Sequence, residues 1–293
     1  MFEHGALWRK TIDTTQKALQ AGTLLPIVTK TSVIHDGGVD FLVRIVSSLT
    51  PKSEDKKEIN PFLPYEKTMF VADISDTHVC LLNKFNVIDH HLLIVTRSFE
   101  EQESLLTLQD FEAMWICMAE FDGLAFYNGG EIAGASQPHK HLQMIPLPMA
   151  DKTPKTPIEP LLGSARFEGD LGVVVDLPFL HSFTRLDWAL LGASQNAAAS
   201  LLQLYRAMLY KVGLNSPSES QDSRQSGPYN LVFSREWMML VPRREEFFES
   251  ISVNSLGFVG ALLVRNEQQM RILQEKGCMS ALKKTSVPSD MAP

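Results

Sequence analysis

The sequence predicts an α+β fold, with a helix covering one face of an antiparallel sheet. Three observations carry this. Residues 67–148 read strand, strand, strand, helix, strand, loop, strand, with turn signals between the runs. A two-strand hairpin is marked upstream by Asp36-Gly37-Gly38 between two β-rich runs. The composition, 44% hydrophobic and 21% charged over 293 residues, is that of a globular chain able to bury a substantial core in one large or two intimate domains.

In order, residues 6–21 read as a modestly amphipathic outer helix stopped at Gly22. The hairpin runs are 27–35 and 39–46. Residues 47–66 are polar and Pro-rich, hold Lys52, Lys56 and Lys57, and form a long loop. Strands follow at 69–74, 79–83 and 91–96. Thr107 with Asp110 three residues later opens a helix as a capping box, and Phe111, Met114, Trp115, Met118 and Phe121 give it a core-facing stripe. A strand at 124–127 leads into the stretch Asn128–Pro146. Beyond a polar linker, 151–160, the second part is expected to hold a strand at 172–177, a helix at 194–212 and a disordered or surface spacer at 215–227. A hairpin, 229–234 with 237–242, then precedes a helix over 255–276 and a frayed tail past Lys283. Hairpin followed by helix loosely echoes the first half, though side-chain identity between the halves is poor.

Net charge is −7, which argues against a nucleic-acid partner, and no apolar window is long enough to span a membrane. The N-terminus shows no basic region before an apolar run, so no secretory signal is expected. Cys80, Cys117 and Cys278 are scattered and odd in number, which reads as reduced, mostly buried thiols and a cytoplasmic location. A phosphate-bearing ligand would be held by a few placed Lys, Arg and N–H groups.

The chemistry concentrates in Asn128–Pro146. Alternation along a strand would place His139, His141 and Gln143 on one surface and Lys140, Leu142 and Met144 on the other. Two hydrogen-bonded, inert histidines are the bland interpretation. A zinc site lacks nearby cysteines, and Gln143 is a poor ligand, although His90 and His91 lie upstream. The third interpretation is nucleophilic attack on phosphorus by an imidazole whose other nitrogen donates to a fixed acceptor. Gly134-Ala-Ser-Gln137 could supply donors to the anion, and Pro138 fixes the approach to the strand. On these residues alone the nucleophile stays open between the two histidines.

Gly-Ala-Ser-Gln-Pro-His-Lys-His-Leu-Gln at 134–143 resembles the signature of the diadenosine tetraphosphate phosphorylases, or ATP adenylyltransferases, the branch of the histidine-triad superfamily with Gln at the third triad position. The resemblance extends to 81–96, to 41–52 and, more weakly, to 254–264. It implies a histidine-triad-like antiparallel sheet with helices on one face, elaborated by a C-terminal half, with parts at 1–160 and 161–293. It also implies that His141 is the nucleophile forming an AMP-histidine, that Gln143 contacts the α-phosphate and that His139 orients the site. Asn128, Gly134, Ala135, Ser136 and Gln137 would bind the phosphate chain, Asn83 and Lys84 the nucleoside with Asn83 on the ribose, and Lys52 the distal phosphates. Asn254 would join the substrate residues, or simply cap the helix that follows it. Inorganic phosphate as second acceptor, giving ATP and ADP reversibly, is implied by the resemblance alone, because residue spacing does not separate phosphate from water. No tightly bound cofactor or protein-held metal is expected, only a divalent cation such as magnesium accompanying the nucleotide.

Two rivals stand beside this expectation. A hexose-1-phosphate uridylyltransferase-like enzyme usually carries Pro between the two histidines and often metal-binding cysteines, against Lys140 and the scattered cysteines here. A non-catalytic dinucleotide-binding sensor is expected to have lost part of the site, which is intact.

Overall fold

The computed structural model describes residues 3–47, 60–150, 154–192, 196–214 and 224–291. The expected site residue Lys52 and most of the 215–227 spacer lie outside the described residues. Helix α1 (Ala6–Gln20) is followed by hairpin strands β1 (Thr29–Asp36) and β2 (Val39–Val46). Strands β3 (Phe70–Asp73), β4 (His78–Leu82) and β5 (Leu92–Thr96) form a meander. Helix α2 (Leu108–Glu120) opens on the capping box legible in the sequence, Thr107 Oγ1 accepting from Asp110 N and Asp110 Oδ2 from Thr107 N. Strands β6 (Gly123–Gly129) and β7 (His141–Pro146) complete the first half.

The second half begins with β8 (Ala165–Glu168), β9 (Leu171–Val174) and β10 (Ser182–Arg185). Helices α3 (Trp188–Gly192) and α4 (Ala197–Lys211) come next, then β11 (Tyr229–Phe233) and β12 (Trp237–Pro242). A small ribbon of β13 (Phe247–Phe248) and β14 (Ile251–Ser252) precedes β15 (Ala261–Val264), α5 (Glu267–Lys276) and α6 (Cys278–Thr285).

One ten-stranded antiparallel sheet runs through both halves in the order β3-β4-β5-β7-β6-β11-β12-β10-β9-β8. Strand alternation divides its side chains between two layers. Leu92, Ile94, Leu142, Met144, Leu231 and Leu240 face α1, α2 and α4. Phe126, Ile145, Val232 and Met239 face a second layer made by β1, β2, β15, α5 and α6. Near β4 and β5 that second face carries only a small cluster of Phe62, Val79, Leu81, Leu93 and Val95, and the histidine stretch lies beside it.

The echo between halves is a topological repeat. The order β3-β4-β5-β7-β6, with α2 after its third strand, recurs as β8-β9-β10-β12-β11 with α4 in the matching place, and β6 pairs with β11 across the join. Leu92 pairs with Met144 two residues before Pro146, and Ser182 pairs with Leu240 two residues before Pro242. This register aligns His91 with His181, but places Trp237 and Met239 where the first half has His141 and Gln143. The second half repeats the frame without the polar pair.

Two expectations fail. The apolar run after Asn254 is not one helix to Lys276 but a 3-10 turn (Ser255–Val259), then β15, then α5. At Gly260 φ is +92° and a Cβ would meet Pro157 Cβ at 2.5 Å, so the chain turns there on a residue only glycine can supply. It then continues as a strand because β2 offers a parallel partner, Ala261 opposite Leu42. Nor is the tail frayed from Lys283. Helix α6 continues to Thr285, and Val287 binds Pro242 O and Leu180 N.

Candidate active site

Strand β7 begins at His141, so His139 sits just before it, in an isolated bridge to Glu101. The expected alternation holds at Lys140, which turns to the helix face and is fully buried. Its ammonium binds Asp110 Oδ2 at 2.7 Å, Leu105 O at 3.0 Å and Glu100 at 3.2 Å. Asp110 also meets His78 Nε2 at 3.0 Å. Burial acts to raise the Asp110 carboxyl, but the His78 bond and the Lys140 charge outweigh it and hold it below its ordinary value. This pair anchors the strand from behind.

The two histidines differ in what their rings are free to do. His139 is bonded at both nitrogens. Nε2–H donates to Thr96 O at 2.9 Å, and Nδ1 accepts from Asn60 Nδ2 at 3.0 Å, the Asn60 amide being oriented by its Oδ1 accepting Phe62 N. Among the described residues His141 is bonded at one. Nδ1–H donates to His139 O at 2.8 Å, which fixes the tautomer whose Nε2 carries the basic lone pair. Burial pulls the His141 imidazole down to about 4, so it is neutral at physiological pH. Phe62 stands against both rings, with centroids 5.6 Å from His139 and 5.4 Å from His141.

Gln143 is oriented by a relay. Asn83 Oδ1 accepts Phe85 N, which leaves Asn83 Nδ2 to donate to His91 Nδ1 at 3.2 Å. His91 must then carry its proton on Nε2, and it donates to Gln143 Oε1 at 2.9 Å. The Gln143 amino group is thereby the end turned away from His91. Burial also brings His91 down to about 4. The neighbouring His90 takes no part, since its ring packs on Trp8 and meets Thr15 under α1.

The small-residue loop is held by the second half of the chain. Gly134 has φ +88°, and a Cβ there would lie 2.7 Å from Asn254 Cβ. Gly134 and Ala135 give their amides to Glu131 O and Gly130 O, so among the described residues it is the Ser136 and Gln137 amides that make no hydrogen bond within the protein. Asn128 Oδ1 accepts from Asn230 Nδ2, Ser255 N and Ser255 Oγ at 2.9, 3.0 and 2.7 Å, leaving its amino group as the donor. Asn254 caps the 3-10 turn through Leu256 N. Behind the loop the buried Arg243 binds Asn230 Oδ1 at 2.6 Å and Val253 O at 2.8 Å, and burial lowers its guanidinium to about 9. Lys84 is half-exposed and paired with Glu66 at 2.9 Å.

His141, Gln143, His139, Asn83, Asn128, the 134–137 loop and Asn254 therefore form one neighbourhood. His91, Asn60, Thr96, Asn230, Ser255 and Arg243 complete it, and sequence reasoning gave none of these a role in the site. Of these the sequence marks only His91, weighed with His90 as an upstream histidine for a zinc site. Among the described residues no group of three or more His, Cys, Asp or Glu could hold a metal ion, and no helix is long and apolar enough to cross a membrane.

Comparison with known proteins adds to this geometry. Residues 1–164 match the model of the Ap4A phosphorylase N-terminal domain, and residues 175–288 match that of the ATP adenylyltransferase C-terminal domain. Protein APA1 of Saccharomyces cerevisiae is 27% identical over 305 residues, spanning 90% of this chain and 88% of that protein. Diadenosine 5',5'''-P1,P4-tetraphosphate phosphorylase 2 of the same yeast is 28% identical over 247 residues, spanning 76% and 74%. The crystal structure of yeast Ap4A phosphorylase Apa2 has the same fold, with a TM-score of 0.79 at 23% identity over 98% of this chain and 96% of that one.

Proposed function

Because the chain belongs to the Ap4A phosphorylase and ATP adenylyltransferase family, we propose that it is a nucleotidyltransferase cleaving diadenosine tetraphosphate with inorganic phosphate to ATP and ADP. His141 Nε2 attacks the α-phosphorus, the P–O bond to the β-phosphate breaks, and ATP leaves. Inorganic phosphate then forms a P–O bond to the AMP on His141, the P–N bond breaks, and ADP leaves. Each step is a displacement at one phosphorus, so the sequence runs in either direction. The leaving triphosphate needs no general acid at neutral pH, since a phosphate monoester has its second ionisation at about 6.

One observation carries this reading: the Nδ1–H bond from His141 to the His139 carbonyl leaves a neutral, basic Nε2 beside the Gln143 amide. A third histidine at position 143 could exchange a proton there. A carboxamide only donates and accepts hydrogen bonds, which suits the role of holding the transferring phosphoryl oxygens. In this reading the Ser136 and Gln137 amides, the Gly134–Ala135 turn and the Asn128 amino group hold the phosphate chain, while Lys52 reaches the distal phosphates. Asn254 shapes the loop by packing on Gly134. Asn83 acts through His91 on Gln143 and, with Lys84, borders the nucleoside. We propose a cytoplasmic location, which the three free, buried cysteines support.

Incubation with diadenosine tetraphosphate, with and without inorganic phosphate, tests the reading by chromatography of the products. ATP with ADP, formed only when phosphate is present, is expected. ATP with AMP in the absence of phosphate would make the protein a hydrolase and overturn it.

A further inference from the structure

The ladder between β6 and β7 pairs Leu124 with Ile145 and Phe126 with Gln143, a register that would next set Asn128 opposite His141. That pair does not form. The carboxamide of Gln102, from the segment between β5 and α2, stands in its place. Gln102 Oε1 accepts the His141 N–H at 2.8 Å, and Gln102 Nε2 donates to Asn128 O at 2.9 Å and to His141 O at 3.2 Å. A primary carboxamide offers two donors and an acceptor oxygen, so both donors and the oxygen are engaged here. The reverse amide orientation would set an amino group against the His141 N–H.

Gln102 is only 2% exposed and is itself held at both backbone ends. Its N–H donates to Pro138 O at 2.7 Å, and its carbonyl accepts from the Tyr127 hydroxyl. One residue thus links the end of β6 (Tyr127 and Asn128), the approach to the histidine strand (Pro138) and the peptide groups of His141. Without it, His141 N–H and C=O would lie buried and unpaired where the strands part.

Building on the proposed phosphorolysis, we infer that Gln102 is a positioning residue for the nucleophile. Its side chain replaces a ladder pair, fixes the backbone of His141, and holds β6 and β7 apart where the phosphate chain must lie between His141 and the 134–137 loop. It touches no reacting atom. Its effect falls on the alignment of His141 Nε2 with phosphorus, where a misplacement of about 1 Å lowers the rate about 100-fold.

Steady-state cleavage of diadenosine tetraphosphate by wild type, Gln102→Met and Gln102→Glu tests this, at a temperature where each is folded by circular dichroism. Gln102→Met keeps the shape without the hydrogen bonds. It is expected to lose about 100-fold in kcat with KM changed by less than about threefold. In Gln102→Glu a carboxylate faces two carbonyl oxygens and cannot donate, whereas the protonated acid recovers one donor. Its activity relative to wild type is therefore expected to rise at least about fivefold from pH 8 to 5.5, burial having raised the new carboxyl. A kcat for Gln102→Met within threefold of wild type overturns the inference, as does a Gln102→Glu ratio that stays flat with pH. Wild type that does not cleave the dinucleotide counts against the proposed function instead, so the two failures are distinguishable.

Discussion

The pH dependence of the first chemical step follows from the burial of one imidazole. His141 must be neutral to attack, and burial lowers it to about 4, although its bond to the His139 carbonyl acts the other way. At pH 5.5 an imidazole at that value is about 97% neutral, while an ordinary histidine at about 6.5 is about 9% neutral, roughly a tenfold difference. The sign is that activity is present above the His141 value and lost as pH falls through it. The assay is kcat/KM for diadenosine tetraphosphate between pH 8 and 3.5, which reports groups on the free enzyme and is insensitive to the ionisation of the second substrate. The internal phosphates of the dinucleotide are diester-like and fully ionised across this range, so the titration belongs to the protein. The expected profile is flat to within about twofold down to pH 4.5 and falls steeply through pH 4, because His91 charges in the same range and its protonated Nδ1 no longer accepts from Asn83. Half-loss near pH 6.5 would refute the argument that burial keeps His141 neutral.

Two substitutions examine the surroundings. Gly134→Ala places a Cβ 2.7 Å from Asn254 Cβ at φ +88°, a strain of about 1–3 kcal/mol. Displacing the loop is expected to lower kcat/KM about 100-fold while thermal unfolding shifts by only several degrees, and unchanged kinetics would dissociate the loop from the substrate. Lys140→Met leaves Asp110 buried without its cation and is expected to cost about 3–5 kcal/mol in urea unfolding, with part of the loss recovered by adding Asp110→Asn. A loss below about 1 kcal/mol would show that the pair does not anchor the strand.

The parts of the fold that were legible in the sequence are those specified by nearby residues. The Asp36-Gly37-Gly38 hairpin, the Thr107–Asp110 cap and the turn away of Lys140 all depend on spacing within a few positions. The run after Asn254 reads as a helix in the sequence because a short apolar segment does not reveal by itself whether it is a helix or a buried strand. The deciding partner, β2, lies more than two hundred residues earlier. Strands β8 and β10, of four residues each, were too short to show a period. Within the site, the signature marked His141 and Gln143, but their working geometry comes from remote residues. Asn60 occupies His139, His91 orients Gln143, and Gln102 fills a gap in the ladder. A polar residue in a loop gives no sequence signal of such a role, because the need for it is created by where two distant strands part.

The covalent step on His141 is the centre of the account, and trapping it is the most direct measurement. The protein is mixed with diadenosine tetraphosphate labelled in both adenosines, without inorganic phosphate, then denatured and mapped by peptide mass spectrometry. Label stable at neutral pH and released by acid, as a phosphoramidate should be, is expected as AMP on His141, and adding phosphate before denaturation should discharge it as ADP. Absence of the adduct while cleavage proceeds, attachment at His139, or wild-type turnover by His141→Ala would contradict the account.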